Sequence, residues 1–249
     1  MIDKIFTNNK GQEFKVLTAP DTAGECMVQF LATDTTTSAS VASIQRKLIT
    51  DPSLPCTAGV GARGHKPESD LERRYLCRWA TMLHRCHNKK DKDFIYYGGK
   101  GVTVSDEFKT FSNFWQWVKT QEHPEWELDS DLYSIVNKEQ KRYSRESLVF
   151  LPKELNFKLV TLKKVLIQIQ EFKAGATDKP PKGISIQGNK IQINVRRSGF
   201  NYSNSFSADK LDSVLEILKQ KNITDFIESA AHYPLCQKAK DLIECLKNS

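Results

Sequence analysis

The sequence predicts an α+β chain in which short strand pairs each lead into a helix, and three stretches carry that prediction. Residues 126–132 (Trp-Glu-Leu-Asp-Ser-Asp-Leu) alternate apolar and polar as a half-buried strand does. A second apolar run, 147–151, is followed by Pro152, a good first helical residue because its missing N–H costs nothing there. Further on, Ile191, Ile193 and Val195 alternate with Gln192, Asn194 and Arg196, and a helical pattern follows from Ser207. These stretches divide the chain into a β-rich unit (1–62), a strand-strand-helix domain with flanking helices (63–174), a linker (175–182) and a C-terminal module of three strands plus helices (183–249).

In the first unit, residues 14–17 and 26–31 are the strand candidates. The Thr/Ser-rich stretch 33–40 separates them from the apolar run 41–49, and Gly59-Val60-Gly61 ends the unit. No chemistry is visible in it, so a structural or docking role is expected.

Residues 71–87 place Leu71, Tyr75, Trp79, Met82, Leu83 and Cys86 on one face at helical spacing, a core-facing stripe. Arg73, Arg74, Arg78 and Arg85 give this helix a basic complement suited to phosphate contacts. Gly98, Gly99 and Gly101 around Lys100 fit either a phosphate-binding turn or a tight turn feeding a strand at 102–104. Residues 106–119 form a helix with Phe108, Phe111, Phe114, Trp115 and Val118 inward.

The helix opened by Pro152 continues beyond residue 157, with Lys158, Lys163 and Lys164 as candidates to run along DNA. Gly175 and two prolines then break the pattern. In the last module, 183–186 and 190–197 are strands around the hairpin signal Gly188-Asn189, and 202–206 is a third. A helix runs from Ala208 to about Lys219. Two short helical runs separated by Pro234 end the chain, and Leu235, Ala239, Leu242, Ile243 and Leu246 form a stripe that packs on the module or on another copy, giving a homodimer.

The chain of 249 residues carries a net charge of +7. Residues 151–200 hold ten Lys or Arg against three Asp or Glu, so this segment alone accounts for the excess. Such a concentration favours a polyanion as partner. None of the six cysteines forms a CxxC pair, which argues against a zinc ribbon. Cys77 and Cys236 fall on apolar faces and are expected in the core. His84, Cys86 and His87 crowd one helix end and do not spread as metal ligands must. With no signal peptide and no apolar run of membrane length, a soluble, reduced, intracellular protein is expected, with no membrane partner.

The central stretch resembles the HNH endonuclease family, specifically its phage homing-endonuclease-like branch. The residues that carry the resemblance are Leu128-Asp129-Ser130-Asp131 on the first strand, Asn137-Lys138 in the loop, Tyr143-Ser144-Arg145 before the second strand, and Phe150-Leu151-Pro152 with Asn156 after it. Arg78, Trp79, Met82, Arg85 and Cys86, and the run from Tyr96 to Val102, match further family patterns. The resemblance implies a ββα metal site with ligands at Asp129 and Asn156. It puts the general base at Ser130 and the central Asn or Thr at Ser147, with Mg²⁺ as cofactor if the site is active. A serine cannot act as a base without one of its own beside it, and residues 139–142 lengthen the loop. Those departures make the chain look like a catalytically degenerate, domesticated member that needs no cofactor.

The C-terminal module, opening Gly183-Ile184-Ser185-Ile186, resembles the plant Apetala-type (ethylene-response-factor-like) DNA-binding domain. By that resemblance its sheet enters the major groove of double-stranded DNA. Gln187, Lys190, Gln192, Asn194, Arg196 and Arg197 are then the readers, Arg suiting guanine and Asn or Gln suiting adenine. The expected function is a sequence-specific DNA-binding transcriptional repressor in the cytoplasm of a bacterial host. The alternative is an active metal-dependent homing endonuclease.

Overall fold

A computed structural model describes residues 1–197 and 200–248, without the side chains of Arg197 and Phe200. In chain order the elements are β1 (Ile5–Thr7), β2 (Glu13–Val16), β3 (Glu25–Phe30), β4 (Thr36–Ser40), α1 (Val41–Gln45), α2 (Asp70–His87), β5 (Thr103–Val104), α3 (Phe111–Lys119), β6 (Glu127–Asp129) and α4 (Asp131–Asn137). There follow β7 (Arg142–Tyr143), β8 (Val149–Leu151), α5 (Lys153–Lys173), β9 (Ile184–Gln187), β10 (Lys190–Arg197), β11 (Phe200–Ser207), α6 (Leu211–Ala230) and α7 (Gln237–Lys247). The α+β class stands.

The chain forms two compact units. The first comprises 1–120 with the short return 142–145. Its sheet is an antiparallel meander in the order β1-β2-β3-β4. Alternation buries Phe14 and Val16 from β2 and Cys26, Val28 and Phe30 from β3, and these pack with Ala39, Ile44 and Ile49. The Thr/Ser-rich stretch is therefore not a separator: 36–40 is β4, paired along β3 from Glu25↔Ser40 to Gln29↔Thr36. β-branched threonines suit an edge strand, and only Ala39 has to be buried.

The same unit holds an aromatic core between α2 and α3. Ser69 caps α2 by accepting from the Glu72 N–H. Tyr75, Trp79, Met82, Leu83 and Cys86 are buried as their spacing predicts. Leu71 is exposed instead, and the residue buried beside it is Glu72, paired with His65 and accepting the Glu68 N–H. From α3 and the turn before it come Phe108, Phe111, Phe114, Trp117 and Val118, while Trp115 is half-buried against Tyr75. The Trp79 indole donates to the Phe108 carbonyl at 2.7 Å, so its polar atom is satisfied inside the core. Cys77, expected in the core, is exposed.

The second unit comprises 121–141 and 146–249. β6 and β8 pair antiparallel, Glu127↔Leu151 to Asp129↔Val149, and α5 follows β8 directly, but where a loop is expected the chain forms α4 and β7, so the connectivity is β6-α4-β7-β8-α5. The strand expected over 126–132 stops at Asp129, and α4 begins two residues later. The C-terminal sheet has the order β11-β10-β9, with β10 paired across its whole length to β11.

The boundary placed at 175–182 does not separate two cores. Leu155, Leu159 and Leu162 of α5 pack with Ile223, Phe226 and Ala230 of α6. Val165 and Ile169, further along α5, pack with Val214, Leu215 and Leu218 at the other end of α6 and with Ile191, Ile193 and Val195 of β10. The two long helices thus run antiparallel and serve both cores. α6 continues to Ala230, well past the expected end near Lys219. The C-terminal stripe is covered by the chain itself: Leu235, Ala239, Ile243 and Leu246 of α7 and its approach lie against Leu132, Val149 and Leu151. Among the described residues no helix is long and apolar enough to cross a membrane.

Candidate nucleic-acid interface

Of the residues that the HNH resemblance singles out, Asp129 and Ser130 sit at the start of α4. Asp129, at the end of β6, is only 5% exposed. Its Oδ1 accepts the Leu132 N–H at 2.9 Å, so this carboxylate satisfies one of the free backbone donors that open α4. Ser130 occupies the cap position itself but makes no capping bond. Its Oγ is buried with no hydrogen-bond partner, as is Oδ1 of Asn156 in the first turn of α5. Ser147 is buried in the turn before β8.

Burial, and then the neighbouring Asp131, push the Asp129 carboxyl up to about 6, against the weaker pull of the Leu132 N–H and Lys141. Asp131 goes the other way. Burial opposes its ionisation, but Lys141 and Lys163 outweigh that and hold it below the usual carboxylate range. Lys163 donates to Asp131 Oδ1 at 2.6 Å and Lys141 at 2.9 Å.

These residues do not fit a catalytic divalent ion. Mg²⁺ keeps several waters and takes charged carboxylates in an open site. Here the carboxylate at the family position is buried and caps a helix, while the next one is neutralised by two lysines. Ser130 and Asn156 add only uncharged oxygens. Among the described residues no group of three or more His, Cys, Asp or Glu side chains is arranged to hold a metal ion.

The C-terminal sheet brings its candidates together. Ile191, Ile193 and Val195 point into the core, so Lys190, Gln192, Asn194 and Arg196 share the opposite face. Register sets them beside Ser207, Ser205, Ser203 and Asn201 of β11, and sets Lys190 and Gln192 beside Gln187 and Ser185 of β9. Ser203 Oγ donates to Asn194 Oδ1 at 2.7 Å, which fixes the amide on the face. No large apolar side chain interrupts this surface among the described residues. The side chain of Arg197 lies outside the described residues.

The remaining basic candidates scatter. Lys158 is held by Asp225 Oδ1 (3.2 Å) and Ser229 Oγ (2.6 Å) of α6, and Lys163 by Asp131, so both have structural work within their unit. Lys164 is exposed. On α2, Arg73 pairs with Asp70 and Arg74 is exposed, whereas Arg78 lies over the Tyr75 ring and Arg85 pairs with Asp93 and covers the Tyr97 ring. Lys100 lies in a short helical turn, Gly98–Lys100. That turn abuts the end of α2: a Cβ on Gly98 would come within 2.2 Å of the Cys86 carbonyl oxygen. Close packing thus explains this glycine.

The sequence reading missed the capping role of Asp129, although Asp at a helix start is a known signal. It also missed the polar contribution of β11, whose alternation of Asn201, Ser203 and Ser205 was there to be read. No family model, curated protein or solved structure matches the chain.

Proposed function

We propose that the protein is a sequence-specific double-stranded-DNA-binding protein that acts as a transcriptional repressor in the cytoplasm of a bacterial host, derived from an HNH homing endonuclease that has lost cleavage. The observation that carries this reading is the unbroken polar face of the C-terminal sheet, where Gln187, Lys190, Gln192, Asn194 and Arg196 stand side by side. Side chains of these types read base edges in the major groove, and a two- or three-stranded sheet is narrow enough to enter it. The basic segment 151–200 supplies the general attraction to phosphate.

Loss of cleavage rests on the surroundings of Asp129. A nuclease needs its metal-bound water exposed to the phosphate, and Ser130, at the base position, is 1% exposed.

The test is selection of binding sites from random duplex, followed by footprinting and incubation of the footprinted duplex with Mg²⁺ or Mn²⁺. A discrete footprint without nicks is expected. Failure to enrich any sequence sinks the reader assignment, and metal-dependent nicking that disappears in Asp129→Ala restores the endonuclease.

A further inference from the structure

Beside the reader face, the second unit has an open cavity of about 740 Å³ lined by α5, β10, α6 and the residues just before β9. That volume lies within the roughly 300–1,000 Å³ typical of small-molecule sites. Val165, Val195 and Leu218 give it an apolar floor, and Lys158, Thr161, Lys182, Asn194, Arg196 and Asn222 add polar groups. Phe157 stands at one wall and is 72% exposed, the most exposed large apolar side chain among the described residues.

Lys182 and Arg196 also line the cavity, and both are exposed. The Asn194 N–H donates to the Gly183 carbonyl at 2.7 Å, which brings Lys182 alongside the Val195–Arg196 end of β10. Gly183 makes that approach possible: its φ is +99°, and a Cβ would meet the Asn194 carbonyl oxygen at 2.9 Å. Neither Lys182 nor Arg196 has an ion-pair partner among the described residues. Lys158, the third cation lining the cavity, is already neutralised by Asp225. The unmet charge of the lining is therefore positive, and it shares the pocket with an exposed aromatic ring and apolar side chains.

We propose that this cavity binds a free nucleoside monophosphate, with the base on Phe157 and the phosphate between Lys182 and Arg196. Aromatic stacking accepts any base, and two free cations match a dianionic phosphate. Arg196 also belongs to the polar face assigned above to duplex DNA. Occupancy therefore competes with duplex binding, and the site serves as an effector site of the repressor. The competition rests on the DNA-binding reading; binding of the nucleotide does not.

The experiment is calorimetric titration of the full chain with adenosine 5′-monophosphate, with adenosine and inorganic phosphate as controls. One site per chain is expected, with each control weaker. Phe157→Ala and Arg196→Ala both change exposed side chains and leave the cores intact; each should weaken binding by about tenfold or more. Gln192→Ala, on the reader face but not lining the cavity, should leave nucleotide binding unchanged while weakening duplex binding. Saturating nucleotide should lower the affinity of the wild-type chain for its duplex. Absence of saturable binding at millimolar nucleotide, or binding indifferent to Phe157→Ala, overturns the proposal even if duplex binding is intact. A Phe157-dependent preference for short oligothymidylate over the mononucleotide assigns the cavity to a DNA strand and also overturns it. If nucleotide binds as described and no duplex is bound, the DNA-binding reading fails and the cavity assignment stands.

Discussion

Lys163 donates to Asp131 at 2.6 Å, and Lys141 donates to the same carboxylate oxygen. Asp131 stands at the first position of α4, so the triad ties α4, α5 and the segment after α4 into one electrostatic knot. A lysine that the sequence offers as a phosphate contact is thereby a structural cation.

We predict that Lys163→Ala destabilises the fold by about 1–2 kcal/mol, because it leaves a largely buried carboxylate with one partner where it had two. Its effect on DNA affinity should be smaller than that of Lys164→Ala, whose side chain is exposed. Urea unfolding and duplex titration on the two variants check this. A larger loss of DNA affinity in Lys163→Ala at unchanged stability would return Lys163 to the interface.

The second prediction concerns pH. The Asp129 carboxyl is raised from 3.8 to about 6 by burial and by Asp131, so between those values the folded chain holds a proton that the unfolded chain has released. Stability contributed by that proton is complete below about pH 4, falls as pH rises to about 6 and is flat above, by roughly 2–3 kcal/mol in all. Asp129→Asn keeps an acceptor for the Leu132 N–H and removes the titration. Its stability relative to wild type should rise from pH 4 to pH 7, measured by urea unfolding across that range. A constant difference would show that Asp129 does not titrate there.

The turn at Gly98 provides a steric test. A Cβ at Gly98 meets the Cys86 carbonyl oxygen at 2.2 Å, whereas one at Gly99 meets the Phe94 carbonyl oxygen at 3.1 Å. Gly98→Ala is expected to cost about 2–3 kcal/mol, since backbone must shift, and Gly99→Ala distinctly less. Thermal unfolding of both variants gives the comparison. Equal losses would mean that the turn relaxes freely.

The fourth prediction is the salt response. If about four cations engage phosphates, affinity for duplex should fall about a hundredfold between 50 and 200 mM salt. Within that total, Arg196→Ala should remove about 1–3 kcal/mol from specific binding and little from binding to random duplex. A flat salt response would end the nucleic-acid reading, and an unchanged specific-to-random ratio would move the reader elsewhere.

Much of the fold is legible because local periodicity reports burial on a single face. The stripe from Tyr75 to Cys86 faces one aromatic core, and the alternation through Ile191, Ile193 and Val195 faces one sheet core. Both read correctly. Reading failed where one element serves two surroundings. α6 packs on the C-terminal sheet at one end and on the other helices at the other end, so its apolar positions do not keep one face and the sequence suggests an end near Lys219 that is not there.

What the sequence by itself determined was the α+β class, the two strand segments that carry Asp129 and lead into the helix of Asn156, and the alternation that sets Lys190, Gln192, Asn194 and Arg196 on one face. Each follows from neighbours a few residues apart, whose geometry the backbone dictates. What only the tertiary structure decided was the charge state and task of the side chains. Asp129 is a buried helix cap, Asp131 is neutralised by lysines 10 and 32 residues away in the chain, and Arg196 of β10 shares a cavity with Phe157 of α5. Burial and long-range ion pairs set these properties, and neither is encoded in the spacing of neighbouring residues.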